Sequence, residues 1–350
     1  MKIKTTVTML TLALVGTFTT AATKAETHES ADDKTPIALV IHGGAGTITR
    51  ANLTAEQEAA YHAKLEEALQ AGYAVLEQGG SSTDAVIHAI QVMEDSPLFN
   101  AGKGAVYTWD GEHELDASIM NGATGNAGAV AGVKTVKSPI ELARTIMDKS
   151  VHVMLSGDGA AQFAQQQGLA QVDNSYFDTE HRYQQLIKAK QTIRKSEQPE
   201  QQAWRYLDLD YKYGTVGAVA LDKSGTLSAG TSTGGMTAKR YGRIGDSPII
   251  GAGTWADNSS CGVSATGHGE YFIRYHVAAD ICSRVKYQNQ TVQEAGDAVI
   301  HGVLEQAGGT GGVIIMDAQG HIATPFNTEG MYRGYIRNGK VHTAIYKDED

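Results

Sequence analysis

The sequence predicts a layered α+β fold in which mostly antiparallel strands pack against helices. Strand-turn-strand patterns occur at 213–232 and 312–324, and long helical patterns precede and separate them. The regular strand-helix alternation of a parallel βαβ wind is missing. With 350 residues the chain is long enough for one or two domains and a sizeable core. Its 40 glycines against 6 prolines read as tight turns in a folded body, not as a low-complexity tail. The formal charge of −10 leaves no basic face for a polyanion, so nucleic acid is not an expected partner.

The elements follow in chain order. Two lysines at 2 and 4, an apolar run over 7–18 and small residues up to Ala25 form an export signal, with cleavage expected after Ala25 or Ala22. The run falls short of the ~20 residues of a spanning helix. No later segment is long and apolar enough to span, so a periplasmic or secreted protein without a membrane partner is expected. Residues 36–41 read as a buried strand that stops at the tight loop His42-Gly43-Gly44-Ala45-Gly46. A helix follows over 54–78, opened by a capping box of Thr54 and Gln57, then a second over 82–94. Residues 95–104 form a loop, 104–120 alternate as strands, and Pro139 opens a helix that runs to 149. The charged, Gln-rich stretch 172–212 reads as a flexible connector. The small and aliphatic residues after it, up to 222, read as a strand buried on both faces. A turn at 222–225 leads to its partner over 226–232. Helices at 271–287 and 291–306 precede the second strand pair. Cys282 falls inside a helical pattern and a chain of this size needs no staple, so Cys261 and Cys282 are expected as two buried thiols.

Several chemistries lack their residues. The glycine loops at 42–46 and 308–312 lack the Lys-Ser/Thr of a phosphate loop and the register of a dinucleotide site. The twelve histidines are scattered, and Cys261 and His268 alone do not make a zinc site. Gly262-Val263-Ser264 is followed by Ala265-Thr266, so there is no nucleophile elbow. What remains is the junction Gly214-Thr215, where a polar segment meets a core strand. Thr215 reads either as an ordinary β-branched strand residue or as a nucleophile. Thr231-Ser232-Thr233 would return beside it on the paired strand. Arg243, Asp246 and Thr266-Gly267-His268-Gly269-Glu270 add an anion holder, a cation holder, a hydroxyl and freely oriented N–H groups. Arg243 and Asp246 could equally pair with each other, and Asn100 could bond only its own loop.

Residues 214–222, 231–235, 242–248 (Gly-Arg-Ile-Gly-Asp-Ser-Pro) and 325–331, with 42–46 and 97–102, resemble the plant-type L-asparaginase/isoaspartyl peptidase family of N-terminal-nucleophile hydrolases. The similarity runs from about 37 to 333, leaving out the connector. It implies an αββα sandwich and a precursor that cuts itself between Gly214 and Thr215. Residues 26–214 would then be an α chain and 215–350 a β chain. It also implies that Thr215 is the nucleophile and, through its freed amine, the general base. Thr233 would tune that hydroxyl, Thr266 and Gly267 would form the oxyanion hole, and Asn100 would orient the amine. Arg243 and Gly269 would take the substrate α-carboxylate and Asp246 its ammonium. The substrate would be a β-aspartyl dipeptide or L-asparagine, released as L-aspartate. No cofactor would be required. A sodium ion held by backbone carbonyls of Met93, Glu94, Ser96, Phe99, Ala101 and Lys103 would stiffen the loop that carries Asn100. The processed units would pair as (αβ)₂. His268 departs from the Thr or Tyr often found between the two glycines. A glycosylasparaginase, where Asp tends to precede the nucleophile, and a non-catalytic periplasmic amino-acid-binding protein remain alternatives.

Overall fold

A computed structural model describes residues 36–195 and 214–349. The expected export signal and residues 196–213 lie outside them. β1 (Ala38–Gly46) is buried along its whole length, as its aliphatic run requires. α1 (Ala55–Glu77) opens on the Thr54–Gln57 capping box, α2 (Ser82–Glu94) on Ser81, and α3 (Pro139–Lys149) on Ser138 with proline in the first turn. Between them run β2 (Leu115–Asn121), β3 (Ala127–Val133) and, after α3, the short β4 (Met154–Ser156). α4 (Gly157–Gln166) and α5 (Glu180–Lys195) follow. Beyond 213 come β5 (Val216–Leu221), β6 (Leu227–Thr233), β7 (Thr254–Ala256) and β8 (Cys261–Gly267). Helices α6 (Gly269–Tyr275), α7 (Val277–Gln288) and α8 (Val292–Asp297) come next. The chain closes with β9 (Gly311–Asp317), β10 (Ile322–Ala323), β11 (Gly330–Arg337) and β12 (Lys340–Tyr346).

The strands form two sheets, ordered β12-β11-β1-β5-β6-β2-β3-β4 and β10-β9-β8-β7. All pairings are antiparallel except β3 with β4. One apolar cluster joins α1, α2 and α3 to the larger sheet through Leu65, Leu69, Ile90 and Ile146. A second lies between the sheets around Val40, Val219, Ala229 and Ile314, and a third joins the smaller sheet to α7 and α8 through Val263, Ile281 and Ala295. The result is a helix-sheet-sheet-helix sandwich in which β5, the strand that follows Thr215, occupies the middle of the larger sheet. No helix among the described residues is long and apolar enough to cross a membrane.

Four expectations change. Residues 105–114 are not a strand: Tyr107 O accepts from Ala238 N and Trp109 N donates to Lys239 O, so this stretch is irregular chain, buried at 105–108 and exposed at 110–112. The first half of the expected connector is ordered. Asn174–Phe177 is a 3₁₀ turn with Phe177 fully buried, and α5 buries Leu186, Ala189 and Ile193 on one face. That narrow apolar stripe is hidden in composition by the charged residues around it. The helix expected over 271–287 breaks at His276, whose left-handed backbone (φ 49°) separates α6 from α7. Cys261 and Cys282 are not thiols but a disulfide with Cα atoms 5.3 Å apart, because α7 lays its middle across the start of β8. A helical pattern cannot say which strand a helix will cover. Closing a loop of this length contributes about 3 kcal/mol. Cys261→Ala with Cys282→Ala should lower the urea unfolding free energy by that order and leave the far-ultraviolet spectrum unchanged.

Candidate active site

Thr215 stands at the head of β5, 7% exposed, and its hydroxyl donates to the Thr233 hydroxyl at 3.1 Å. The β5/β6 register that pairs Val216 with Ser232 brings the two threonines together, and Thr233 Oγ1 also accepts from Gly235 N at 3.0 Å. Ahead of Thr215 the chain is very crowded. Gly214 takes φ +151°, and a Cβ on it would lie 2.7 Å from that of Asn100, so only glycine fits. Its carbonyl accepts from Asn100 N at 3.0 Å. Both ends of the Asn100 side chain are engaged with backbone, Nδ2 donating to Gly235 O (2.7 Å) and Oδ1 accepting from Val106 N (2.9 Å). It is therefore the main chain of Asn100, not its amide, that hydrogen-bonds the Gly214-Thr215 junction.

Thr266 and Gly267 end β8 in the facing sheet, where Thr266 Oγ1 accepts from Ala45 N at 3.4 Å. Asp246 is 5% exposed and its Oδ2 has no hydrogen-bond partner among the described residues; burial pushes its carboxyl up to about 7. Gly269 brings its backbone against both charged residues, since a Cβ there would lie 2.8 Å from Asp246 Oδ1 and 2.9 Å from Arg243 Nη2. Arg243 does not pair with Asp246. Its Nε and Nη2 donate to Glu270 Oε1 and Oε2 at 3.0 and 2.9 Å. Sequence reasoning gave Glu270 no role, because nothing in its spacing ties it to Arg243. An incoming carboxylate must share the Arg243 fork with Glu270, while a cation finds Asp246 unpaired.

A buried polar chain beneath the threonines also escaped the sequence reading. Burial holds the His42 ring neutral, pushing it down to about 3. Its Nδ1 lies 3.1 Å from Thr215 O and its Nε2 3.0 Å from Ser264 Oγ. A carbonyl only accepts, so Nδ1 carries the proton and Nε2 accepts from Ser264. Ser264 Oγ meets Thr231 Oγ1 at 2.7 Å, Thr231 meets Thr254 at 2.6 Å, and Ser118 joins Thr254 to Ser247 O. Thr231 and Ser264 each precede a site threonine by two residues and so share its strand face. The chain thus runs from the carbonyl of Thr215 to the residue after Asp246.

The expected cation loop folds back tightly. Gly102 (φ +51°) packs against Glu94 O and Gly104 against Phe99 O, close approaches that a Cβ would block. The Met93 carbonyl accepts from Asp95 N and Ser96 N, and the Ala101 carbonyl from Gly104 N. The Glu94 side chain turns away to Ser138, Ser232 and Ile140 N. Main-chain oxygens are the ligand type that a hard monovalent cation takes.

The asparaginase family matches residues 35–345. An isoaspartyl peptidase of Salmonella typhimurium is 48% identical over 311 residues, 89% of this chain and 98% of the relative. One of Escherichia coli is 46% identical over 316 residues, covering 89% and 96%. An isoaspartyl peptidase/L-asparaginase of Homo sapiens is 38% identical over 314 residues, covering 90% and 97%.

Proposed function

Because the chain belongs to the asparaginase family, we propose that it is a self-processing threonine amidohydrolase that releases L-aspartate from β-aspartyl dipeptides and L-asparagine. The observation that carries this reading is the hydroxyl of Thr215, 3.1 Å from that of Thr233 and directly after a glycine whose carbonyl already accepts the Asn100 N–H. In the precursor, Thr215 Oγ attacks the Gly214 carbonyl carbon, and the Asn100 N–H steadies the oxyanion. The hydroxyl proton passes to the leaving nitrogen, and water then hydrolyses the ester. This frees the Thr215 amine, whose ordinary pKa of roughly 7.7–8.0 makes it a base poised for the hydroxyl it shares a residue with.

Asp246 then takes the substrate ammonium and Arg243 its α-carboxylate, with Gly269 leaving room between them. The Thr266 hydroxyl and the Gly267 N–H receive the oxyanion as Thr215 attacks the side-chain carbonyl. The amine departs with the proton taken from Thr215, and water cleaves the β-aspartyl ester. A sodium ion on the carbonyls of Met93, Glu94, Ser96, Phe99, Ala101 and Lys103 would supply rigidity to the Asn100 loop. The Cys261–Cys282 bond supports export to an oxidising compartment, which N-terminal sequencing of secreted protein tests. Pairing as (αβ)₂ is tested by light scattering.

Preference of the purified enzyme for a sugar-bearing asparagine over β-Asp-Leu would replace this reading with a glycosylasparaginase. Tight aspartate binding by an uncut, inactive chain would replace it with a binding protein.

The charge of Asp246 sets a pH dependence. A neutral carboxyl cannot balance the substrate ammonium, and burial brings its protonation to about 7. Below that pH, KM should rise by about tenfold per unit, superimposed on the loss of kcat as the Thr215 amine protonates. In Asp246→Asn the KM limb should vanish and the kcat limb remain, read from full Michaelis curves between pH 5 and 9.

A further inference from the structure

Arg182 on α5 is a buried cation that the mechanism above does not use. It is 7% exposed; Nε donates to Gly104 O at 2.8 Å and Nη1 to Gln185 Oε1 at 2.9 Å. Among the described residues no carboxylate lies within ion-pair distance of it. Burial works against its charge, yet a guanidinium does not give up its proton at any ordinary pH. A desolvated charge without a counter-charge is among the most costly features a fold can carry. Tertiary packing keeps this one at the wall of a cavity of about 420 Å³ that extends to Gly214 and Asn100.

The rest of that cavity has a definite chemistry. Tyr61 and Tyr332 stack with centroids 3.9 Å apart, and with Leu53 and Leu98 they make an apolar wall. Gly214 lines the cavity, so the space lies on the α-chain side of the junction, away from β5. Once the bond is cut, the freed Thr215 amine, which hands the proton to the leaving group, faces the place that Gly214 held, so the leaving amine would depart toward this cavity, whereas Arg243 and Asp246 would hold the aspartyl half.

We propose that this cavity is the subsite for the amino acid joined to the β-aspartyl group, with its apolar side chain on Tyr61 and Tyr332 and its free carboxylate on Arg182. The inference rests on the isoaspartyl peptidase reading and narrows it to dipeptides with a free C-terminus and an apolar second residue. The other available carboxylate is that of Gly214 itself, the new α-chain terminus.

The experiment compares β-Asp-Leu, its C-terminal amide and L-asparagine with processed wild type, Arg182→Met and Arg182→Lys, each checked by intact mass. One charge-assisted contact is worth about 10- to 100-fold in kcat/KM. Wild type should prefer the free acid to the amide by that factor, and Arg182→Met should erase the preference while sparing asparagine; Arg182→Lys should restore part of it. Equal wild-type rates on acid and amide overturn the subsite without any variant. An equal loss on all three substrates in Arg182→Met also overturns it, assigning Arg182 to the Gly214 carboxylate or to packing. A wild type that cleaves none of the three refutes the underlying activity instead.

Discussion

Thr215→Ala should leave the protein as a single chain and abolish hydrolysis of β-Asp-Leu. On the proposed mechanism, one substitution removes the group that would cut the precursor, and an uncut precursor would lack the basic amine. The loss in kcat should reach about 10⁴-fold or more, as for other activated nucleophiles. Intact mass after purification gives the first readout, one species in place of two, and a dipeptide assay gives the second. Thr215→Ser keeps the hydroxyl and should still appear as two fragments, after slower cutting, because the β-branched side chain that restricts the Thr rotamer is gone. Processed Thr215→Ala, or uncut wild type with full activity, would remove the ground for the whole mechanism.

Gly217→Ala should be nearly as damaging, though Gly217 touches no substrate. A Cβ there would lie 1.9 Å from Ser264 Oγ and 2.4 Å from His42 Nε2, on top of the bond that links them. The strand must shift or the bond must break, and either leaves a buried ring nitrogen without a donor, at a cost of about 1–3 kcal/mol before any strain. The head of β5 moves with it, and a nucleophile displaced by about 1 Å forfeits on the order of 100-fold in rate. Slow self-cleavage, a lower Tm and a reduced kcat with KM little changed are the expected set. Adding Ser264→Gly, which clears the Ser264 atoms but leaves the contact with His42 Nε2, should recover part of the Tm and less of the kcat, because His42 would still be crowded and lack its donor. Full stability and activity in Gly217→Ala would show that the chain from Thr215 to Ser247 does not matter.

The legible parts of the molecule are those written in local order. The capping box at Thr54, the proline-led α3 and the aliphatic runs of β1 and β5 depend on neighbours a few residues away, and they stand where their patterns put them. The motifs around Thr215, Thr233, Arg243, Asp246 and Thr266 were likewise readable as a resemblance, because each is a short string. β11 and β12 were not foreseen. Their glycines, arginines and scattered aromatics lack a clean period, and pairing on the edge of β1 decides them.

The sequence by itself determined the layered class, the junction at Gly214-Thr215 and the set of residue types able to attack, hold and polarise, since these follow from local pattern and side-chain chemistry. Only the tertiary structure decided that Cys261 meets Cys282, that Arg243 bonds Glu270, that His42 reaches the Thr215 carbonyl from the neighbouring strand, and that Arg182 is buried with no carboxylate among the described residues in ion-pair reach. Each of these joins residues 20 to 170 or more positions apart, or depends on what fails to approach. Such relations arise from sheet register and layer packing, which no window along the chain contains.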